Sequence, residues 1–180
     1  TDPLTNALNR RSINQSLDEL HHDKNCPYAI VLLDLDHFKN INDQFGHHMG
    51  DTVLIAVSQK LGLHLRESDV VGRFGGEEFI LILKQSSALK ARQIAERCRA
   101  AIEDLVIQNE NGRAIRITAS FGIALATDKL KPQQLLDQAD KALYAAKASG
   151  RNQIKCYLEI NPSEIKYSAA CADTQHISPN

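Results

Sequence analysis

Apolar residues along the chain follow two alternating spacings, which predicts an alternation of helices and strands. Residues 10–23 have the helical spacing, whereas residues 28–36 (YAIVLLDLD) form a continuous apolar run that is typical of a buried strand. Residues 50–68 return to the helical spacing, and residues 70–84 predict two strands joined by a turn at GGEE. The apolar positions of the two helical patterns are Ile13, Leu17 and Leu20 in the first and Val53, Val57, Leu61 and Leu65 in the second.

The second half of the chain continues this alternation. Residues 88–106 have an amphipathic helical pattern, and residues 114–126 (AIRITASFGIALA) predict a long central strand. Residues 132–152 begin with proline and reach Gly150, and these residue types are typical of the start and the end of a helix. The order helix, strand, two helices, hairpin, helix, strand, helix, strand predicts an α+β domain in which helices flank a mostly antiparallel sheet.

The pattern fades towards the C-terminus, so the sequence predicts one domain over residues 1–160 and a poorly ordered tail over residues 161–180. The first residue is Thr1 rather than methionine, and we therefore expect an upstream sensor or dimerising region in the full protein. That region could anchor the full protein to a membrane. Within the printed sequence we expect no membrane contact, because no apolar run approaches the length of about 18 residues that a spanning helix needs.

Composition excludes several classes of partner. The 180 residues carry 21 basic and 22 acidic side chains, so no net field attracts nucleic acid or an anionic membrane. The four cysteines are widely spaced and form no C-x-x-C pair, which argues against a zinc site and a disulfide scaffold and favours the reducing cytoplasm. Any binding of phosphate must therefore depend on local groups.

Polar residues concentrate at two places, the end of the first predicted strand and the GGEE turn. If the first strand lies beside the hairpin, four carboxylates come together, those of Asp34, Asp36, Glu77 and Glu78. Two unit charges 4 Å apart repel by roughly 4 kcal/mol at an effective dielectric near 20, so such a group needs a cation. Hard oxygen ligands favour Mg²⁺ over Zn²⁺, with Mn²⁺ as an alternative.

Simpler explanations exist for the same residues. An Asp-x-Asp after a strand is often a solvated strand end, and adjacent glutamates on a hairpin are usually surface charges. Gly75 and Gly76 suit a two-residue turn with positive φ, and they equally suit a close approach of the backbone to a ligand. These residues alone leave the choice open.

Four blocks of the sequence resemble the GGDEF domain, the diguanylate cyclase family. They are DPLTNALNRR near the start, DLDHFKNINDQFGHHMGD from residue 34, GGEEF from residue 75 and ADKALYAAKASGRN from residue 139, so that the resemblance covers residues 1–157. It implies a five-stranded sheet ringed by helices, akin to the ferredoxin-like palm of nucleotide cyclases and polymerases. It also implies the condensation of two GTP molecules into cyclic di-GMP with loss of two pyrophosphates.

The resemblance implies roles for the residues of the two acidic blocks. The implied ligands of magnesium are Asp34, the backbone carbonyl of Leu35, Glu77 and Glu78. Glu77 would in addition accept the proton of the ribose 3′-hydroxyl, and Lys39 would offset charge that develops on the phosphates. Asp36 is either an outer neighbour of the metal ligands or a solvated group.

The same resemblance implies a binding pocket for the guanine base. Asp51, expected in the first turn of the helix over residues 50–68, would accept from guanine N1 and N2, and Asn42 and His47 would complete the pocket. Adenine would leave the carboxylate facing an acceptor, at a cost of roughly 1–3 kcal/mol. Without the resemblance, Asn42 is an ordinary turn residue and His47 a surface histidine.

Phosphate binding is implied for the glycines of the turn and for the end of the last helix. Gly75 and Gly76 would lie against the substrate, and Lys147 and Arg151 would hold its β- and γ-phosphates. The alternative for the two basic residues is a favourable interaction with the C-terminal end of the helix dipole.

The tetrapeptide RESD, Arg66 to Asp69, resembles the Arg-x-x-Asp inhibitory site of the family, where bound product slows turnover. By spacing alone, such a pair is most often a surface ion pair worth less than about 1 kcal/mol. Because one pocket holds one GTP, the resemblance further implies catalysis by a two-fold dimer. The alternatives to an enzyme are a silent domain that senses GTP or cyclic di-GMP, and a module that packs against a phosphodiesterase domain.

Overall fold

The computed structural model describes residues 1–23 and 25–160. Within these residues the chain forms six helices and seven strands. The helices are α1 (Arg10–His22), α2 (Phe38–Phe45), α3 (His47–Leu63), α4 (Ala88–Glu103), α5 (Pro132–Ala148) and α6 (Tyr157–Ile160). The strands are β1 (Tyr28–Leu35), β2 (Val70–Gly75), β3 (Glu78–Lys84), β4 (Ile107–Gln108), β5 (Ala114–Ile115), β6 (Ala119–Leu125) and β7 (Ile154–Cys156). The tail predicted over residues 161–180 lies outside the described residues.

Five strands form one sheet in the order β2-β3-β1-β6-β7. The contacts of β1 with β3 and with β6, and of β2 with β3, are antiparallel, and only β7 runs parallel to its neighbour β6. Strands β4 and β5 pair separately as a short ribbon. The prediction of an α+β domain with a five-stranded, mostly antiparallel sheet flanked by helices is thus confirmed.

Alternate residues of β1 pack on opposite faces of this sheet, as the twofold period of a strand requires. Val31 and Leu33 belong to a core that contains residues of α3 and α4, whereas Ile30 belongs to a second core with residues of α1 and α5. All three side chains are fully buried. Asp34 is two pleat periods beyond Ile30, so it projects from the face that α1 and α5 cover.

Two predicted elements differ in extent from the structure. Helix α3 starts at His47 rather than residue 50, directly after Gly46, whose φ of 83° separates it from α2. Asp51 therefore lies in the second turn of α3, and its expected position in the first turn is wrong. The strand predicted over residues 114–126 is divided into β5, which pairs with β4, and β6, which pairs with β1 and β7, and residues 116–118 connect the two.

Helix α5 lies directly against β6. A Cβ added to Gly122 would stand 2.2 Å from the backbone nitrogen of Leu143 and 2.3 Å from the carbonyl oxygen of Ala139. The absence of a side chain at residue 122 therefore sets the distance between α5 and the sheet. None of the helices in the described part of the chain has both the length and the apolar composition of a membrane span.

Replacing Gly122 by alanine should destabilise the domain, because the new methyl group meets backbone atoms that cannot yield without displacing α5. We expect a loss of roughly 1–3 kcal/mol or more in the free energy of unfolding, measured by urea denaturation. The matched control is Gly62→Ala in α3, where an added Cβ meets nothing within 4 Å and should stabilise the helix by about 0.5–1 kcal/mol. Equal effects of the two substitutions would contradict the close contact of α5 with β6.

Candidate active site

The end of β1 meets the hairpin formed by β2 and β3. Asp34 is the register partner of Glu78 across the antiparallel ladder, and the backbone N–H of Leu35 donates to the carbonyl of Glu77 at 3.4 Å. Residues that face each other in such a ladder have Cα atoms about 4.5–5.5 Å apart. The sheet thus brings together Asp34 and Glu78, which lie 44 positions apart in the sequence.

The tip of the hairpin is a two-residue turn made of Gly76 and Glu77, since β2 ends at Gly75 and β3 begins at Glu78. Gly75 has a φ of 154° and Gly76 a φ of 54°, a region that favours glycine. A Cβ on either glycine would meet nothing within 4 Å, so the surface above the tip is open. Backbone conformation explains both glycines, and the open surface leaves room for a ligand.

Arg73 holds the tip in place, a role that the sequence analysis missed. Its Nε and Nη2 donate to the carbonyl oxygen of Gly76 at 2.9 and 2.7 Å, and its Nη1 donates to Oδ1 of Asp2 at 3.1 Å. The same Asp2 oxygen accepts from the backbone N–H of Thr5 at 2.9 Å and from its hydroxyl at 2.7 Å. The first block of the sequence, which begins at Asp2, therefore supports the turn that carries Glu77.

Asp34 and Lys147 form an ion pair at the base of this site. Nζ of Lys147, in the last turn of α5, lies 3.1 Å from Oδ2 of Asp34, whose side chain is only 14% exposed. Burial raises the pKa of Asp34, the charges of Lys147 and Arg151 oppose that rise, and the nearby charge of Asp36 adds to it. The Lys147 ammonium therefore supplies part of the positive charge that this carboxylate needs.

Glu78 adds a second carboxylate beside Asp34. Partial burial raises the pKa of Glu78, and the charges of Asp34, Asp140 and Glu77 raise it further, against the opposing effect of Lys147. Asp140, on α5, was not singled out from the sequence, although it lies within the fourth block. Negative charge thus accumulates on the α5 side of the hairpin and exceeds what one ammonium can offset.

Asp36 does not join this group, which corrects two expectations. Its side chain turns into the protein, where it accepts from the hydroxyls of Thr118 and Ser120 at 2.7 Å each and from the backbone N–H of Asn152 at 3.0 Å. The residue is 6% exposed, so it is not a solvated strand end. Because these partners lie more than 80 residues away in the sequence, the side chain of Asp36 faces away from the expected cluster of four carboxylates.

The oxygens of Asp34 and Glu78 fit a magnesium ion that takes most of its ligands from water and from phosphate. No three histidine, cysteine or acidic side chains within residues 1–23 and 25–160 are grouped closely enough to hold a metal by themselves. Asp34 and Glu78 nevertheless offer adjacent oxygen ligands with an unfavourable excess of negative charge. One or two carboxylates completed by water and phosphate oxygens are the usual protein contribution to a Mg²⁺ site, whereas zinc favours nitrogen and sulfur.

The residues assigned to guanine lie on the two helices that follow β1. Asn42 lies in α2 with its Oδ1 so close to the backbone of α3 that a Cβ on Gly50 would stand 1.9 Å from it. His47 and Asp51 are exposed and four residues apart, so both project from one side of α3. Lys39 is exposed in the first turn of α2. These side chains are available to a ligand at the junction of α2 and α3.

Arg151 follows α5 in a left-handed turn. Its backbone φ is 64°, its side chain is exposed, and its charge acts on Asp34. Lys147 is in direct contact with Asp34, so its role is not limited to the helix dipole. The structure thus brings the two basic residues of the fourth block to the side of the acidic pair.

A model of the family described as "Diguanylate cyclase, GGDEF domain" matches residues 1–153. The chain belongs to the GGDEF family. Diguanylate cyclase DgcP of Pseudomonas aeruginosa is 39% identical over 86% of this chain and 23% of its own length. The chain spans less than half of the length of this relative and of two other curated relatives, Bacillus subtilis YhcK and Escherichia coli DosC.

Solved GGDEF domains have the same fold. The GGDEF domain of DgcB from Caulobacter crescentus, determined in complex with c-di-GMP, matches with a TM-score of 0.83 and 30% identity over 87% of this chain and 95% of that chain. Diguanylate cyclase SiaD of Pseudomonas aeruginosa, determined in complex with its activator SiaC, matches with a TM-score of 0.82 and 37% identity over 86% of this chain and 60% of that chain.

Arg66 and Asp69 of this GGDEF domain form a bidentate ion pair at 2.9 Å, which also uses the backbone N–H of Arg66. The Asp69 side chain is 0% exposed and accepts a further bond from the backbone N–H of Lys84, whereas the Arg66 side chain is 44% exposed. An ordinary surface ion pair is therefore the wrong description. Asp69 and the contacts of Arg66 with the Lys84 carbonyl and Ser86 hold the guanidinium with one side towards solvent.

Replacing Glu78 by glutamine should stabilise the ligand-free GGDEF domain at neutral pH. Because the folded-state pKa of Glu78 is raised, its ionised form destabilises the fold above that pKa, and the penalty disappears as the pH falls below the ordinary pKa of the carboxyl. Glu78 is only partly buried and solvent screens its charge, so we expect a gain of only about 0.5 kcal/mol at neutral pH and none near pH 3, measured by urea denaturation.

The control is Glu110→Gln, at an exposed position between β4 and β5, which should change stability at neither pH. Added Mg²⁺ should stabilise the parent more than Glu78→Gln, because bound cation stabilises only the state that binds it. A glutamine variant that is less stable than the parent at neutral pH would show that repulsion at Glu78 is not the dominant effect.

Proposed function

We propose that this domain is a diguanylate cyclase, which joins two GTP molecules into cyclic di-GMP and releases two pyrophosphates. The observation that carries the proposal is the pairing of Asp34 with Glu78 at the GGEEF hairpin, beside the Lys147 ammonium. Carboxylates of this kind suit a cation that arrives with a triphosphate, and an adjacent lysine suits the phosphates themselves. The proposal places the reaction in the cytoplasm, where GTP is available.

Four groups would hold Mg²⁺, or Mn²⁺ in its place: the carboxylates of Asp34, Glu77 and Glu78 and the backbone carbonyl of Leu35. The bound cation would withdraw negative charge from the phosphate oxygens and from the leaving pyrophosphate. Burial first, and neighbouring carboxylates second, raise the pKa values of Asp34 and Glu78, and a bound cation would offset both effects. Lys147, with its carboxylate partner engaged by the cation, would turn to the β- and γ-phosphates together with Arg151.

Glu77 is proposed as the group that accepts the proton of the ribose 3′-hydroxyl. The hydroxyl oxygen then forms a bond to the α-phosphorus of the opposing GTP, and the bond from that phosphorus to the bridging oxygen breaks as pyrophosphate leaves. The same step in the other direction closes the ring. The clamp of Arg73 on the Gly76 carbonyl supports this role, because it fixes the turn next to Glu77. Lys39 would offset charge on the phosphates in the transition state.

Guanine is proposed to bind at the junction of α2 and α3. Asp51 would accept from N1 and N2, Asn42 would bond the remaining edge, and His47 would line the pocket. The exposure of His47 and Asp51 on one side of α3 supports this arrangement. Gly75 and Gly76 would let the substrate lie close to the hairpin backbone, where both positions are open.

Catalysis in this proposal needs a two-fold dimer, because each domain holds one GTP and the attacking hydroxyl comes from the other. An upstream region or a separate activator protein would bring two domains together, as the complex of SiaD with its activator SiaC illustrates for that relative. Cyclic di-GMP is proposed to inhibit by binding the exposed side of Arg66, which Asp69 orients. The complex of the DgcB domain with c-di-GMP supports binding of the product by this family.

The activity is tested by incubating the domain, dimerised through a fused coiled coil, with GTP and Mg²⁺ and separating the nucleotides by chromatography. Cyclic di-GMP should form, and the specific rate of the unfused domain should rise with protein concentration. Asp34→Asn and Glu77→Gln should each lower the rate by at least about 100-fold, whereas Glu110→Gln should not change it. If the dimerised parent makes no cyclic di-GMP but still binds GTP, the domain is a sensor and the enzyme proposal is wrong.

Product inhibition is tested with Arg66→Ala. The variant should resist inhibition by added cyclic di-GMP by about 10-fold or more, because it loses the exposed guanidinium that would face guanine O6 and N7. Initial rates before product accumulates should match those of the parent. Arg116→Ala, which removes an exposed arginine between β5 and β6, is the matched control. Inhibition that persists unchanged in Arg66→Ala would assign the product to another surface.

A further inference from the structure

The turn that carries Arg151 is an unusual piece of backbone. Gly150, Arg151 and Asn152 have φ values of 117°, 64° and 47°, so three consecutive residues are left-handed. Residues other than glycine adopt this region rarely, and they remain there only where their surroundings hold them. The turn therefore depends on contacts outside itself.

The first part of the turn is held by the end of α5. The backbone N–H of Arg151 donates to the carbonyl of Ala146 at 3.1 Å, and that of Gly150 to the carbonyl of Lys147 at 3.4 Å. This pair of bonds is the usual way in which a helix ends at a left-handed glycine. Neither of these two bonds involves Asn152, the next residue, so α5 does not hold Asn152 in its left-handed conformation.

Asp36 supplies that support. Oδ2 of Asp36 accepts the backbone N–H of Asn152 at 3.0 Å and the hydroxyl of Thr118 at 2.7 Å, while Oδ1 accepts the hydroxyl of Ser120 at 2.7 Å. The carboxylate is buried, and its three donors come from the start of β6 and from the turn. Bonds from an ionised acceptor to backbone N–H groups are among the strong hydrogen bonds of proteins.

The side chain of Asn152 is held from the other direction by α4. Its amide donates to Oε1 of Glu103 at 2.8 Å, and its Oδ1 accepts from Nη1 of Arg99 at 2.7 Å. Arg99 is in turn paired with Glu96 and Glu103, and its side chain is only 15% exposed. Asn152 is therefore fixed at its backbone by Asp36 and at its side chain by Arg99 and Glu103 of α4.

We infer that Asp36 is a positioning residue, which acts through the backbone of Asn152 to fix the direction of Arg151 towards the phosphates. The inference rests on the proposed function, in which Arg151 binds the β- and γ-phosphates. Asp36 does not touch the nucleotide, because both its oxygens are engaged by protein donors. Its removal frees the Asn152 N–H and lets the turn relax out of its left-handed conformation.

The experiment measures the dissociation constant of a GTP analogue with a methylene bridge between the α- and β-phosphates, which cannot release pyrophosphate. The analogue is titrated into the parent, Asp36→Ala, Asp36→Asn, Arg151→Ala and the double variant Asp36→Ala/Arg151→Ala. We expect Asp36→Ala to weaken binding by at least about 10-fold, the loss that follows when one charged contact is misplaced. Asp36→Asn should remain within about 3-fold of the parent, because its amide oxygen can still accept from Asn152 and Thr118 while the Ser120 hydroxyl turns to accept from its amide N–H.

The double variant separates positioning from a direct role. If Asp36 acts only through Arg151, Asp36→Ala should weaken binding by less than about 2-fold in the Arg151→Ala background, since the two effects are not additive. A full additional loss in that background would overturn the inference, and so would parent-like binding by Asp36→Ala. Should Arg151→Ala itself bind like the parent, the phosphate role in the proposed function fails instead.

A second pair of variants keeps the inference testable if Asp36→Ala does not fold. Arg99→Ala removes one of the two hydrogen bonds that hold the Asn152 side chain from α4. It should weaken binding of the analogue by about 3-fold or more, with the loss again absent in the Arg151→Ala background. The matched control is Arg92→Ala, an arginine two helical turns earlier on α4 that pairs with Glu159 rather than with the turn. Equal binding by Arg99→Ala and Arg92→Ala would overturn the inference.

Discussion

The antiparallel pairing of β1 with β3 is the constraint on which the site depends. It sets Asp34 opposite Glu78 and joins the end of the buried central strand to the turn of the hairpin. A shift of one residue in this register would turn Asp34 to the opposite face, into the core shared with α3 and α4. The apolar packing of the buried residues of β1 therefore does more than stabilise the fold, because it also fixes which face of the sheet receives the charge.

The packing of α5 against the sheet places several carboxylates next to one another beside the hairpin. Their mutual repulsion lowers the stability of the folded domain. The pKa values of Asp34 and Glu78 are both raised by burial first and by neighbouring charge second. Lys147 offsets part of this charge, and Arg73 and Asp2 hold the turn from below. Functional sites often reduce the stability of a fold in this way, because their residues are selected for chemistry rather than for stability.

The alternation of helices and strands and the meeting of the two acidic blocks could be predicted from the sequence, because both follow from local spacing and from strand pairing. The environments of Asp36 and Asp69 could not. Each carboxylate is buried by partners that are distant in the chain, such as Asn152 for Asp36 and Lys84 for Asp69. Periodicity reports the face of an element on which a residue lies, and it carries no information on a single long-range hydrogen bond. The apolar spacing places the start of α3 too late for a local reason, since the helix begins with the polar residues His47 and His48.

The contact of α5 with Gly122 has a consequence for how this domain can vary. Because the backbone of the helix touches the backbone of β6, the axis of α5 is set by main-chain atoms and not by the side chains that it presents to water. Tyr144, which is 74% exposed on that helix, therefore does not contribute to the position of Lys147 beside Asp34. Sequence drift on the outer surface of α5 can create new contacts with other molecules while the ammonium stays where it is.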